Sequence, residues 1–299
     1  MARPELCVIF NPTAGKNRGQ QRLEQIRKTW GTHVIFRPTE RAGHALELAE
    51  QAVQEGFAVV AAAGGDGTAH EVLNGLMRAG NPDVQFTIVP IGSANDYAYS
   101  LGIGKEPPPP DRRVDVGIAR APNGKTLYFG CCLGTGFTGQ VTWESRQIHR
   151  LQGIFLYGLA TLRALKDHYH APPMMLHLDD EPAWTAPTLF FSVYAGKREG
   201  GFELAPKSEV DDGWLNYVHA GDLSRWKILQ LLPRIALFGA PDEYPKVRQG
   251  CCRKVKLRSE APLIAHADGE FFCLPEEGIQ EIEIEIVPAA LRVTNLAFV

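Results

Sequence analysis

The chain has 299 residues, 44% hydrophobic and 22% charged, enough to bury one large or two medium globular cores. Its formal net charge of -3 excludes a nonspecific grip on nucleic acid, which needs clustered cations to neutralise phosphates. The six cysteines lack C-x-x-C or Cys/His zinc spacing, and neither a signal-type start nor a run of roughly 18 apolar residues is present, so the expectation is a cytoplasmic protein with buried thiols.

In chain order, Leu6–Phe10 is a compact apolar run that predicts a strand, stopped by the turn formers Asn11-Pro12. Leu23, Ile26 and Trp30 at helical spacing predict a helix over 19–30, followed by a strand at His33–Phe36 and a helix at Gly43–Gln54. Phe57–Ala63 is apolar without alternation, as expected of a parallel strand covered on both faces. A helix over Ala69–Ala79 and a strand over Phe86–Ile91 complete an open α/β layer, with ligand turns at the carboxyl ends of its strands. Pro107–Pro110 can continue neither a helix nor a central strand. Beyond it the chain reads as β: Val114–Ala119, Thr126–Leu133, Met174–Leu178, Leu189–Tyr194, Leu215–His219, Lys254–Ser259, Phe271–Leu274 and Gln280–Val287, interrupted by helices near 153–167 and 226–238.

Gly64-Gly65-Asp66-Gly67-Thr68 follows the third strand. Glycine lets backbone approach an anionic ligand, and the helix behind offers free amides to phosphate oxygens. The other reading is a tight turn with Asp66 capping that helix. Asn11–Lys16 and Gly92-Ser93-Ala94-Asn95-Asp96 occupy the same place after two further strands, so three polar turns can converge on one nucleotide. Gly15-Lys16 is no P-loop, because Phe10 stands where its first glycine belongs, and the G-x-G-x-x-G at 134–139 lies outside the α/β third, where a turn near the domain cleft is expected. His266–Glu270 is either a hairpin turn or part of an active site; Asp211-Asp212-Gly213 is either a solvated turn or a set of oxygen ligands for Mg²⁺.

These pieces together resemble the diacylglycerol kinase catalytic-domain superfamily, especially the bacterial diacylglycerol and phosphatidylglycerol kinase group related to sphingosine kinases. The resemblance rests on NPTAGK at 11–16, GGDGT at 64–68, EVLNGL at 71–76, GSANDYA at 92–98, GGFELAP at 200–206, DDGWL at 211–215 and DGE at 268–270. It implies an N-terminal α/β domain of the phosphofructokinase and NAD-kinase type, residues 1–117 joined by 290–299, and a C-terminal β-sandwich over 118–289. Two asparagines common in relatives are replaced, within Gly130–Cys132 and at Tyr194–Gly196.

The resemblance implies ATP and Mg²⁺ as cofactors and a lipid hydroxyl as acceptor, most simply of diacylglycerol. Gly64, Gly65, Gly67, Thr68, Gly92, Ser93 and Asn95 are expected at the phosphates, and Asn11, Lys16, Thr39, Glu71 and Glu270 are expected to contact or organise the nucleotide. Asp268 is the preferred general base and Asp66 its rival; Asp211, Asp212 and Leu215 are the expected Mg²⁺ ligands. The competing readings are an NAD or small-metabolite kinase and a noncatalytic ATP-binding protein. The apolar segment from Trp226 to Phe238 is either buried against the second domain or rests at a membrane surface.

Overall fold

A computed structural model describes residues 6–105, 110–148, 151, 153–239 and 244–295. Four parallel strands, β1 (Leu6–Phe10), β2 (Val34–Pro38), β3 (Val59–Gly64) and β4 (Gln85–Pro90), stand in the order β2-β1-β3-β4. Helices α1 (Lys16–Trp30), α2 (His44–Gln54) and α3 (Asp66–Ala79) cover them, and a short α4 (Asp96–Ser100) follows β4. The unalternating β3 is explained by its two faces. Val60 and Ala62 pack with Leu73 and Leu76, whereas Ala61 and Ala63 pack with Leu6, Val8 and Ile26.

The second part is a sandwich. Its strands in chain order are β5 (Arg112–Arg120), β6 (Thr126–Phe129), β7 (Cys132–Gly136), β8 (Pro173–Leu178), β9 (Trp184–Pro187), β10 (Phe190–Tyr194), β11 (Leu215–Ala220), β12 (Val247–Cys252), β13 (Lys254–Ser259), β14 (Ala265–Ala267), β15 (Glu270–Cys273) and β16 (Glu281–Val293). An antiparallel sheet ordered β12-β11-β10-β7-β14-β15 packs Leu133, Phe191 and Val193 against Leu257, Ile282 and Ile284 of the other layer. Three helices lie outside this core: α5 (Phe137–Arg146), α6 (Gly153–Asp167) and α7 (Arg225–Phe238).

The two parts share one sheet through β16. Its first half pairs antiparallel with β5 and β13, and its end pairs parallel with β4 at Arg292–Gln85 and Val293–Phe86. The expected strand end at Val287 is therefore a register shift between Val287 and Leu291, not a stop. Buried Asp115 fixes that shift by accepting the Ala289 amide at 2.8 Å and the Gly213 amide at 2.6 Å.

Two further expectations change. Thr126–Leu133 is two strands, because the chain leaves the ladder at Gly130-Cys131, where a Cβ on Gly130 would lie 2.5 Å from the Tyr97 ring. The turn at 134–139 opens α5, with Gly136 at φ 71, a helix whose short polar sequence gave no clear period. Most of the proline run, 106–109, lies outside the described residues.

Candidate active site

The turns after β1, β3 and β4 meet. The Asn11 amide donates to the Ala63 carbonyl (3.0 Å), while the Ile91 and Gly92 amides donate to that of Gly64 (3.0 and 3.1 Å). A Cβ on Gly92 would lie 2.5 Å from the Gly65 Cα, so these two turns touch backbone to backbone and tolerate no side chain between them. Thr68 is buried under the loop, its hydroxyl against Gly64, and Ser93 is exposed on the facing turn. Asn95 takes φ 53 and ties its side-chain amide to the Gly92 carbonyl at 2.8 Å. Thr39 donates its amide to Phe10, and the Asn11 side chain folds onto Thr13. The Lys16 side chain lies outside the described residues.

Asp66 does not cap its own helix. Its carboxylate accepts the amides of Asn95 (2.9 Å) and Asp96 (2.6 Å), capping α4 and so joining the β3 and β4 turns. Burial, with the Asp268 charge adding to it against these amides, holds the Asp66 carboxyl above its ordinary value. The adjoining Asp96, whose carboxylate accepts the Gly201 amide at 2.9 Å, is pushed up to about 7 by burial and then by the Asp66 charge. Glu71 is also a cap: its oxygens accept the Gly43 and Ala45 amides at 2.8 and 3.0 Å, so what it organises is the start of α2.

Across the cleft, His266–Glu270 is the β14–β15 hairpin, with Asp268 at φ 51 and Gly269 at φ 84. Asp268 Oδ1 accepts the amides of Cys131 (2.8 Å) and Cys132 (3.0 Å). Its Oδ2 accepts the Gly130 amide (2.8 Å) and faces His70 Nδ1 at 3.2 Å. The break in the predicted 126–133 strand is what frees these three consecutive amides into an anion-holding arc. Burial alone would raise the Asp268 carboxyl; His70 and the amides overcome it and hold the group below its ordinary value. Glu270 is set by Arg146 from α5, at 2.7 Å, and a Cβ on Gly67 would lie 3.3 Å from its other oxygen, Oε1. The hairpin thus stands directly over the GGDGT loop.

His70, Asn74 and Arg146 are site residues that the sequence reading assigned no role. Asp66, His70 and Asn74 recur every four residues on α3, a period that could have exposed the first two of them. Asn74 acts as a strand partner, donating to the Tyr128 carbonyl and accepting its amide, both at 2.9 Å.

The expected Mg²⁺ ligands lie apart from this cleft. Asp211 pairs with Arg112 at 3.0 Å, Asp212 Oδ1 accepts the Trp214 amide at 2.9 Å, and Leu215 begins β11 fully buried. Burial, then the charges of Asp115, Glu209 and Asp211 acting against the Trp214 amide, raise the Asp212 carboxyl. An all-oxygen donor set crowded with negative charge fits a hard cation.

A second cavity, of ≈ 370 Å³, adjoins the narrow polar cleft that Asp66, Asp96 and Asp268 line. Helices α5, α6 and α7 wall it with Phe137, Val141, Thr161, Leu231 and Leu232, the loop after β10 adds Phe202, and Thr142, Tyr157, Glu199 and Gly200 border both spaces. No helix among the described residues is long and apolar enough to cross a membrane.

An α/β layer ending in glycine turns, faced by a sandwich hairpin carrying Asp268 and Glu270, defines a kinase of the diacylglycerol kinase type. Residues 5–120 match the diacylglycerol kinase catalytic domain, and residues 131–295 match the YegS C-terminal NAD kinase beta sandwich-like domain. The chain belongs to this YegS and diacylglycerol kinase family of lipid kinases. It is 28% identical over 305 residues to "Probable lipid kinase YegS" of Escherichia fergusonii, covering 97% of this chain and 95% of the relative. It is 31% identical over 255 residues to "Probable lipid kinase YegS-like" of Chromohalobacter salexigens, covering 80% and 78%. The crystal structure of a diacylglycerol kinase from Bacillus anthracis str. Sterne shares the fold, with a TM-score of 0.71 at 17% identity over 99% of this chain and 98% of that one.

Proposed function

We propose that this chain passes the γ-phosphoryl group of ATP to the hydroxyl of a diacylglycerol or related glycerolipid. The observation that carries the acceptor class is the apolar ≈ 370 Å³ cavity opening beside the carboxylate-lined cleft. A molecule with one polar end and apolar chains fills both spaces, whereas a dinucleotide would leave an aromatic and aliphatic wall unsatisfied. We divide the two units at 117/118 and 289/290, and the register shift in β16 supports the second of these boundaries.

In this reading Gly64, Gly65, Gly67, Thr68, Gly92, Ser93 and Asn95 cradle the phosphates, with Asn11, Lys16 and Thr39 along the rim of the same turns. The acceptor oxygen attacks the γ-phosphorus, the bond to the β–γ bridging oxygen breaks, and the hydroxyl proton passes to a carboxylate. Asp66 suits that transfer better than Asp268, because its raised affinity for protons makes it the stronger base. Asp268 has a partner on all four of its lone-pair sites, so it positions the hairpin that holds Glu270 opposite the phosphates. Mg²⁺ supplies charge neutralisation of the phosphates when it arrives with ATP, and a structural Mg²⁺ would be held by Asp211, Asp212 and the Leu215 carbonyl.

The test is transfer from γ-labelled ATP to a panel of diacylglycerol, phosphatidylglycerol, a sphingoid base, ceramide and NAD. Label in the glycerolipids is expected. Label in NAD alone would move the protein to the small-metabolite kinases, and nucleotide binding without transfer to any acceptor would make it a noncatalytic binder.

Peripheral membrane contact fits the same reading. The apolar run of α7 divides: Ile228, Leu231 and Leu232 face the cavity, whereas Trp226 and Leu237 are 75% and 74% exposed. Phe155 on α6 is likewise 74% exposed. A Trp226→Ser, Leu237→Ser variant leaves the cavity lining intact and is expected to lose sedimentation with anionic liposomes. Equal sedimentation of variant and parent rules the contact out.

A further inference from the structure

We infer that the wall of the cleft carries a zinc-class metal site built from Cys132, Glu199 and His266. The inference starts from the alternation of the β7-β10-β14 sheet. Leu133, Phe191, Val193, Ala265 and Ala267 enter the sandwich core. Their neighbours Cys132, Gly134, Ser192, Tyr194 and His266 therefore share the opposite face. Register places them side by side: Gly134 lies opposite Ser192 on one strand and His266 on the other, and Cys132 lies opposite Tyr194. This is a row of polar groups on a buried face, with Cys132 and His266 each 1% exposed.

The ligand atoms already converge. One donor atom from each of Cys132, Glu199 and His266 lies within 4.8 Å of the other two, and His266 Nε2 is 3.1 Å from Glu199 Oε1. Nδ1 of His266 has no hydrogen-bond partner among the described residues, and Nε2 meets Glu199 Oε1 at ion-pair distance without hydrogen-bond geometry, an expensive state for a buried imidazole. The space beside it is a hollow of the backbone. A Cβ on Gly134 would meet His266 Nε2 at 2.8 Å and Ser192 Oγ at 3.0 Å, so glycine keeps this polar spot open.

Donor chemistry selects the metal. A thiolate, an imidazole and a carboxylate suit Zn²⁺, whereas Mg²⁺ prefers oxygen alone. Bond lengths of roughly 2.0–2.3 Å put tetrahedral donors about 3.3–3.7 Å apart, so the cluster closes on an ion with small side-chain movements. Binding would release the Cys132 proton to solvent and leave a fourth position toward the cleft, which all three residues line. Glu199 is held for this task from behind, its Oε2 accepting the Tyr194 hydroxyl at 3.0 Å. The site does not rest on the identity of the acceptor, and its three ligands come from strands and a loop far apart in sequence.

The test uses the full-length chain, stripped of metal and titrated with Co²⁺. One equivalent is expected to give the intense visible absorption of a four-coordinate centre and a near-ultraviolet thiolate-to-cobalt band, both displaced by Zn²⁺. The band should vanish in Cys132→Ala and persist in Cys131→Ala. Because removing a buried thiol can disturb folding, Tyr194→Phe supplies a second arm: it deletes only the hydroxyl behind Glu199 and is expected to weaken Zn²⁺ binding about tenfold. Cobalt binding without a thiolate band, a band that survives in folded Cys132→Ala, or unchanged Zn²⁺ affinity in Tyr194→Phe overturns the site.

Discussion

Asp268 and Asp66 are both aspartates enclosed at the same cleft, yet their surroundings move them in opposite directions. Asp268 sits where a strand breaks, facing three amides and the His70 imidazole, and its carboxyl is held below the ordinary range. Asp66 gains the Asn95 and Asp96 amides but has Asp96 and Asp268 as charged neighbours, and burial prevails. Burial penalises both charges; the number and sign of the partners decides which one stays easily ionised. On the proposed reading one cleft holds a fixed negative anchor and a proton acceptor, a separation that phosphoryl transfer to a hydroxyl can use.

The comparison breaks first at Asp66. Asp66→Asn keeps the size of the side chain and an acceptor oxygen for one of the two amides, but removes the base, and kcat with saturating lipid is expected to fall about 10²–10⁴-fold. Ordinary turnover in a folded Asp66→Asn enzyme would return the base role to Asp268. Asp268→Asn tests the anchor instead. An amide side chain turns a donor toward the donors that now hold the carboxylate, so unfolding free energy at pH 7 should drop by about 3 kcal/mol or more, read by urea denaturation. The pH dependence has a definite sign. A carboxyl lowered by folding stabilises above its unfolded value near 3.8, and that contribution fades as pH falls through the folded value. The gap between parent and Asp268→Asn should therefore be wide at pH 7 and narrow in acid. A gap that is constant with pH would mean that the carboxylate charge is not what holds the hairpin.

The contrast also marks how far the sequence could be read. The strands of the α/β layer were legible because burial on both faces leaves an unalternating run such as Val59–Ala63, and the turns were legible because glycine is needed where backbones touch, as at Gly65 and Gly92. Asp268 was legible as a residue but not as a state. Its partners are main-chain amides exposed by a break at Gly130-Cys131, and main-chain donors have no side-chain signature. Arg146 was missed for a different reason: it reaches Glu270 across 124 residues from a helix with weak periodicity. The Cys132, Glu199 and His266 group has no spacing rule at all, because strand pairing brings Cys132 and His266 together and the loop after β10 brings Glu199 to them.

The smallest expected effect, and the sharpest test of the pairing logic, lies at Asp96. Its carboxyl is pushed up to about 7 by burial and by the neighbouring Asp66, against an unfolded value of 3.8. A group raised by folding favours the folded state fully below its unfolded value, and the contribution is lost as pH rises toward the folded value, here across the window from 3.8 to about 7. Above that window the protein carries two ionised aspartates in contact with the same α4 turn. Asp96→Asn removes one of them while leaving a carbonyl to accept the Gly201 amide. The variant should gain on its parent as pH rises, by about 2–4 °C in Tm at pH 8 and by little or nothing at pH 5, when both are followed by thermal unfolding without nucleotide. Adding MgATP should shrink the difference at pH 8 if bound cations offset the paired charges. A Tm difference independent of pH would show that Asp96 is not a strained acid, and the opposite-state picture of the cleft would then rest on Asp268 alone.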